Sequence, residues 1–535
     1  MLKKIEVFTL FFLIIFVFYC AVIIGSSWDE VFAMTRGKER LKYLFSLGAY
    51  NSYYNPISEE FSPGFYHTLA IFFTKMFPTK YEIETFHIIN SLFSILTVFG
   101  IYKISSIIFN KTVGKIIFLL CFLNPIFFGH MAMNSKDTII AFANIWTTYV
   151  FLRYLQNQRF NNNCTRYIVL AGLTIGLGTG VRLPFFITLM PLFIFAIFDI
   201  FFIKKFVNRN FSKKKFFLHI PIVLLIAYLI VVSCWPHVHE NIFTKPFLIA
   251  SNVGNVDVQN FGLPWMLFNG QFVDTSQLPS LYIIINFFYK SPEYLLFSYI
   301  IFIYFVIVNK NFFTDKFNFF WTKIFLILFI FLFPTIYFIF SSYKAYDGLR
   351  LFLYLIPYFS IIPGLAIYYL VCNYNSIISK IFLGSLFCFF SYYFFIFLSL
   401  TPFQYTYLNT FIGKFANASE KFENDYWATS VKELIEKIPY ETDLISANKK
   451  INITFCGVPH SIVKRDLNKL KNFRYQQKDL YADDFEYVIM TNRIVENREQ
   501  NTLDNVKTCF QKFEGQDIIS VKRNGLMLST LRKKL

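Results

Sequence analysis

Charge is scarce in this sequence. Asp, Glu, Lys and Arg make up 16% of its 535 residues, against about a quarter in an average soluble domain, while hydrophobic residues reach 55% and aromatic residues 21%. A water-soluble fold has no interior large enough to hide that much apolar surface, so the composition excludes an ordinary soluble enzyme. Cysteine-pair motifs are missing too. None of the eight cysteines stands in a CxxC pair, and most (Cys20, Cys121, Cys234, Cys372, Cys388) fall within or beside apolar stretches, where a thiol behaves as a small hydrophobe. No repeat or low-complexity tract is present, and the first apolar stretch lacks an A-x-A-like cleavage site.

What is present is a series of apolar runs near or above the ~20 residues that cross a bilayer as a helix, separated by short polar breaks. About eleven membrane spans are predicted. The first, 7–25, reads as a retained signal anchor; the others are 87–109, 113–129, 138–155, 167–180, 184–203, 216–234, 294–308, 324–340, 351–371 and 381–400. Basic residues fall in alternate loops, from Lys3/Lys4 through Lys111/Lys115, Arg153/Arg159/Arg166, Lys204/Lys205/Lys213/Lys214/Lys215 and Lys310/Lys316/Lys323 to Lys380. The positive-inside rule therefore puts the N-terminus in the cytoplasm. With an odd number of spans, the chain after Leu400 emerges outside, as do loops 26–86 and 236–292. The formal net charge of +18 is thus topological, and its spread over separate loops excludes a nucleic-acid-binding face.

The chain divides into a membrane body, 1–400, and a C-terminal domain, 401–535, with a different texture. In that tail, 428–438 reads as an amphipathic helix, 451–455 and 487–490 as strands, and 518–522 with 526–531 as a hairpin. Asn524-Gly525 supplies the positive φ values of its turn. A small extracytoplasmic α/β domain is predicted. Cys456 and Cys509, the tail's two cysteines, can pair in an oxidising compartment. In loop 26–86, apolar residues recur at helical spacing over 31–47 and 65–77, as in helices that lie along the interface, packing between spans or framing a cleft.

Chemistry-bearing residues collect at the outer ends of the spans. Asp29 and Glu30 stand just outside the first span, where a lipid-linked substrate presents its head group; deprotonating a hydroxyl needs a positioned carboxylate. The same residues suit the first turn of a helix capped by Ser27. Lys136-Asp137, Arg182, Lys290 and Arg350 lie at other outer ends, where a charge faces a protein cavity or snorkels to water. Converging there, Lys136, Arg182 and Arg350 would form a site for an anionic leaving group. His237-Val238-His239-Glu240 offers ligand types for a divalent metal, without a recognised structural-site spacing; no metal is assigned.

These residues resemble the GT-C membrane glycosyltransferases, close to the bacterial type of the protein O-mannosyltransferase-like family (glycosyltransferase family 39). Asp29-Glu30-Val31 resembles that family's Asp-Glu pair in the first external loop, and Lys136-Asp137 its second acidic position. Tyr346-Asp347-Gly348-Leu349-Arg350 resembles the Y-D-G-x-R-H segment, with Leu351 in place of the histidine. Tyr405-x-Tyr407-x-Asn409 and Asp425-Tyr426-Trp427 resemble the Y-x-Y-x-N and D-Y-W patterns after the last span. The E-K-P-P signature of aminoarabinose transferases is replaced by Glu59-Glu60-Phe61-Ser62-Pro63-Gly64, which points away from that sugar. Loop 236–292 is too short for the lumenal domain of eukaryotic protein mannosyltransferases.

The resemblance implies an inverting transferase moving a sugar from a polyprenyl-phosphate carrier to a glycan, lipid or protein acceptor, in a bacterial inner membrane. Asp29 would be the base, with Glu30 sharing the role or orienting the acceptor. Lys136, Arg182 and Arg350 would bind the donor phosphate, and Asp137, Tyr346 and Asp347 would bind substrate. The tail would cap the cleft or select the acceptor, docked through Asp425-Tyr426-Trp427. Two other readings remain open: a transporter or flippase of lipid-linked sugar, which would place charges near the bilayer midplane, and an oligosaccharide ligase or polymerase.

Overall fold

The structure, a computed structural model, describes residues 2–50, 61–158, 161–208, 210–252, 264–340, 344–442, 444–445, 450–482, 484–495 and 506–534. Glu59 and Glu60 of the replaced E-K-P-P signature lie outside them. The first half is helical: α1 (Leu2–Ile23), α2 (Trp28–Phe45), α3 (Phe65–Thr74), α4 (Glu82–Ile108), α5 (Lys111–Phe122), α6 (Pro125–His130), α7 (Asp137–Asn157), α8 (Asn161–Val181), α9 (Phe185–Phe198), α10 (Lys213–Ser233) and α11 (Lys245–Asn252). A small hairpin of β1 (Trp265–Phe268) and β2 (Gln271–Asp274) turns at Asn269-Gly270. Then come α12 (Tyr282–Lys290), α13 (Glu293–Val308), α14 (Phe312–Lys316), α15 (Phe320–Phe340), α16 (Ile356–Phe359), α17 (Ile361–Cys372) and α18 (Ile377–Ser399).

Among the described residues, eight helical segments are long and apolar enough to cross a membrane; a ninth span would be α12 with α13, bent by 111° at their junction. Two predicted spans differ in kind. Span 113–129 is split into α5 and α6 at Asn124-Pro125, where the Asn124 side chain accepts from the Phe127 amide at 3.1 Å and starts a new helix. Span 138–155 lies within α7, whose 21 residues include polar groups paired inside the bundle. Asn144 donates to the Thr188 carbonyl at 3.1 Å and accepts from the Tyr358 hydroxyl at 3.0 Å, and Thr147 bonds Thr174 at 2.9 Å. A helix packed among α4, α8 and the 3-10 turn Arg350–Leu355 uses hydrogen bonds where a lipid-facing helix uses apolar side chains.

After three short 3-10 turns, the tail continues with α19 (Val431–Glu441), followed by β3 (Ile451–Cys456), α20 (His460–Leu467), β4 (Tyr475–Gln477), β5 (Tyr487–Thr491), α21 (Cys509–Lys512), β6 (Gly515–Arg523) and β7 (Leu526–Lys534). The strands form one sheet in the order β4-β3-β5-β7-β6, parallel on the β4 side and antiparallel across β7. The predicted helix, two strands and hairpin are all present; α20, β4 and α21, too short to show a clear period, were not foreseen. Cys456 and Cys509 are joined in a disulfide.

The two tyrosines and the asparagine after α18 tie the tail to the helical body. Tyr405 donates to Asp425, Tyr407 donates to Glu293 at 3.0 Å, and Asn409 donates to the Ser291 carbonyl at 3.0 Å while its amide donates to the Tyr289 carbonyl at 2.8 Å. Asn409 and Tyr407 thus satisfy polar groups exposed by the bend between α12 and α13, which a buried chain cannot leave unpaired. The tail packs directly on α6 at Gly129, where a Cβ would fall on the Tyr405 backbone nitrogen. Gly129→Ala should therefore cost about 1–3 kcal/mol by overpacking, read as a lower thermal-unfolding midpoint in detergent; an unchanged midpoint would refute the close fit.

Candidate active site

Four chain segments meet at one end of the bundle. The first is the start of α2. Ser27 and Glu30 form a capping box, the Ser27 amide donating to Glu30 Oε2 at 2.6 Å, and Ser27 Oγ donates to the Met133 carbonyl at 3.0 Å. The other Glu30 oxygen lies 2.7 Å from His87 Nε2, and His87 Nδ1 donates to the Ala21 carbonyl at 2.8 Å. Glu30 therefore faces inward, away from its neighbour Asp29. It anchors the helix start, a role different from the shared base predicted for it.

The second segment is the turn before α7. Asn134 accepts from the Asp137 amide and donates to its carboxylate, both at 3.0 Å, fixing Lys136 and Asp137 at the helix start. The third is the break between α8 and α9, which presents Arg182, and the fourth is the turn Tyr346-Asp347-Gly348 leading into Arg350. That turn requires left-handed backbone at Asp347 (φ 58°) and Gly348 (φ 67°). Asp tolerates this conformation better than most residues. At Gly348 a Cβ would come within 2.8 Å of Lys290 Cε.

Arg350 is the centre. Its Nη2 lies 2.7 Å from Asp29 Oδ2, its Nη1 2.6 Å from Asp347 Oδ2, and its Nε 3.5 Å from Asp137 Oδ2. The guanidinium is sandwiched between Tyr346 and Trp427, with ring centroids 4.9 and 4.3 Å away. The planar fork of arginine suits such multiple pairing. Lys136 Nζ adds a contact at 3.4 Å to Asp29 Oδ2, and Arg182 Nη2 lies 3.1 Å from Asp137 Oδ1. The structure thus brings together Asp29, Lys136, Asp137, Arg182, Tyr346, Asp347 and Arg350, and leaves Glu30 aside.

Exposure separates these residues into two tiers. Arg350, Asp137 and Asp347 are at most 5% exposed, whereas Asp29, Lys136 and Arg182 are 24–29% exposed. Only the second group presents charge to an incoming molecule. An open cleft of about 160 Å³ leads away from Asp137 and Arg182 between α9 and α15, walled by Phe185, Ile187, Phe333, Pro334 and Phe338. Burial alone would raise the Asp29 carboxyl, but the Lys136, Arg350 and Arg182 charges hold it well below the usual carboxylate range. The Lys136 ammonium is drawn down by burial, with Asp29 opposing.

Sequence reasoning missed the residues behind this cluster. His130 donates from Nδ1 to the Ile126 carbonyl at 2.7 Å, leaving Nε2 to accept from Tyr426 at 3.1 Å and Trp427 at 3.3 Å. Arg493 of the tail reaches Asp347 Oδ1 at 3.4 Å across 146 residues of sequence. Glu423 is buried beside them; desolvation lifts its carboxyl from 4.5 to about 7, Asp347 adding to the rise and Arg493 opposing it. His239 Nε2 donates to the Val232 carbonyl at 2.7 Å, and Glu240 pairs with Lys245. Among the described residues no group of three or more His, Cys, Asp and Glu side chains could hold a metal ion. The three carboxylates around Arg350 are neutralised by bases of the chain itself.

A family profile described as dolichyl-phosphate-mannose-protein mannosyltransferase matches residues 62–235, from just before α3 to the end of α10. The fold matches ArnT from Cupriavidus metallidurans bound to undecaprenyl phosphate, with a TM-score of 0.50 at 9% identity over 100% of this chain and 98% of that one. The chain has the GT-C fold. The same ArnT in the apo state gives a TM-score of 0.49 at 8% identity, over 100% of this chain and 99% of that one. The apo Archaeoglobus fulgidus oligosaccharyltransferase gives 0.45 at 11% identity, over 90% of this chain and 69% of that one. No curated protein sequence matches the chain. Its apolar helices make it a multi-pass membrane protein, similar to the mannosyltransferase profile over 62–235.

Glu30→Ala removes the cap and leaves His87 without its carboxylate, so it should destabilise the protein by about 1–3 kcal/mol, read as a lower thermal-unfolding midpoint; an unchanged midpoint would remove its anchoring role. The raised Glu423 carboxyl means the folded state binds a proton more tightly than the unfolded chain, so its stabilising contribution is full below 4.5 and lost as pH rises through about 7. Stability of wild type relative to Glu423→Gln should therefore fall across that window in a pH series of unfolding midpoints.

Proposed function

We propose that the chain transfers a sugar from a polyprenyl-phosphate carrier to an acceptor hydroxyl, with inversion at the anomeric carbon, on the extracytoplasmic face of a bacterial inner membrane. The acceptor is a glycan, lipid or protein. The observation that carries this reading is an apolar cleft with Arg182 and Asp137 in its lining, next to the partly exposed pair Asp29 and Lys136. A polyprenyl chain fits apolar walls, and its phosphate suits the Arg182 donors in the lining and the Lys136 ammonium near them. The family profile and the GT-C fold support the same chemistry. The similar ArnT structure holds undecaprenyl phosphate, a ligand of the class proposed here. The alternation of basic loops supports the orientation.

In the reaction, the acceptor oxygen forms a bond to the anomeric carbon as the bond from that carbon to the phosphate oxygen breaks. The electron pair leaves on the polyprenyl phosphate, whose growing charge Lys136 and Arg182 stabilise. Both cations on Asp29 contact Oδ2, so Oδ1 is the proposed proton acceptor. A carboxylate held so acidic is a weak base in the resting state but is always ionised. It takes the proton late, once bond formation has made the acceptor oxygen acidic. Arg350, buried and held by Asp29 and Asp347, orients Asp29 rather than binding phosphate; Asp137 fixes Arg182, and Tyr346 and Asp347 hold Arg350.

With purified protein in lipid and a panel of radiolabelled polyprenyl-phosphate sugars, wild type should consume one donor and Asp29→Asn should lose about 100-fold or more in turnover. Arg182→Ala should also weaken transfer, about 100-fold. Equal turnover by Asp29→Asn would remove its role as base, and labelled lipid crossing the bilayer without sugar release would replace the transferase with a transporter.

A further inference from the structure

The strand-end loop after β5 is held from both sides. On one side, the Cys509 amide donates to the Arg493 carbonyl at 2.8 Å, and Cys509 is bonded to Cys456 at the end of β3. Gly457, next to that cysteine, has φ +65°, and a Cβ there would come within 2.8 Å of Arg493 Cβ; its carbonyl accepts from Thr491 Oγ1 at 2.7 Å. On the other side, the Ile494 amide donates to Glu423 Oε1 at 2.8 Å and Asn492 Nδ2 donates to the Ser419 carbonyl at 2.8 Å. So fixed, the backbone aims the Arg493 side chain out of the tail and into the helical body.

There its guanidinium, 12% exposed, makes three kinds of contact. It donates to the Tyr426 carbonyl, lies 3.4 Å from Asp347 Oδ1, and sits over the Trp28 ring at 5.6 Å. Asp347 is the carboxylate that grips Arg350 at 2.6 Å, and Trp28 precedes Asp29. The tail thus touches both the group that orients the base and the residue adjoining it. Arginine is apt for this because one planar cation can donate to two acceptors while stacking on a ring.

We propose that Arg493 is a positioning residue of the transferase site, and that the Cys456–Cys509 disulfide holds it in place, so that the C-terminal domain completes the site rather than merely covering it. This rests on the transferase reading for its kinetic consequence but not for its structural one. Arg493 holds Asp347 against Arg350, and Arg350 in turn holds Asp29. Loss of that hold loosens Asp29 without touching Lys136 or Arg182, so donor binding persists while the chemical step slows.

Full-length protein in lipid is compared with Arg493→Ala, Arg493→Lys and the double variant Cys456→Ser/Cys509→Ser. Arg493→Ala should lower kcat by up to ~100-fold, the cost of a small misplacement of a reacting group, with donor KM nearly unchanged. Arg493→Lys should recover part of the loss and the double serine variant should reproduce it. Hydrogen exchange over residues 344–355 gives a second readout independent of activity: it should rise in Arg493→Ala and in the double serine variant, measured at a temperature well below the unfolding midpoint of each, since loss of the disulfide also lowers that midpoint. Wild-type kcat and unchanged local exchange in Arg493→Ala would overturn the proposal, as would a loss in KM alone. If wild type consumes no donor, the transferase reading fails, and the exchange over 344–355 still decides whether Arg493 holds that segment.

Discussion

Taking a guanidinium out of water costs several kcal/mol unless its donors find close, well-directed acceptors. Arg350 meets that demand with Asp29 and Asp347 as acceptors, with the Asp137 carboxylate 3.5 Å from its Nε, and with two aromatic rings, the carboxylates drawn from three separate parts of the chain. Each of those carboxylates has a second basic partner, Lys136 for Asp29, Arg182 for Asp137 and Arg493 for Asp347, so the cluster is a network and not a set of isolated pairs. The start of α2, the start of α7, the turn before Arg350 and the Trp427 segment of the tail are therefore held in one register. Every other feature of the site depends on that register.

The consequence is a division of labour by depth. Buried charges set geometry; the partly exposed Asp29, Lys136 and Arg182 are available to a substrate. The capping box and the Glu30–His87 contact support the same arrangement from below, fixing the direction in which α2 leaves its N-terminus. A reacting carboxylate on a well-supported helix start is better placed than one on a free loop, because its position is determined by backbone hydrogen bonds.

The motif residues that follow the last span act as fasteners. Tyr405, Tyr407 and Asn409 secure the chain after α18 to Asp425, Glu293 and the bend at Ser291. Tyr426 and Trp427 share one acceptor, His130 Nε2. Short motifs near a membrane boundary carry such duties because a bend or break there exposes backbone groups that neither lipid nor apolar side chains can satisfy.

Sequence alone carried the GT-C helical membrane architecture, the main strands of the C-terminal sheet, and the short list of charged residues at one end of the helices. These are legible because lipid imposes a local code: about 20 apolar residues per crossing, period-two strands, and charges confined to span ends. Even Asp29, Lys136 and Arg182 stood out, each by its place beside an apolar run. Only the tertiary structure decided that Glu30 turns inward to His87, that Arg350 is a buried hub, that α7 is an interior helix bound by polar pairs, and that Arg493 arrives from the far tail. Pairing between distant residues leaves no periodicity in a single chain, and two adjacent carboxylates look alike until the helix start beneath them sets which one faces the core.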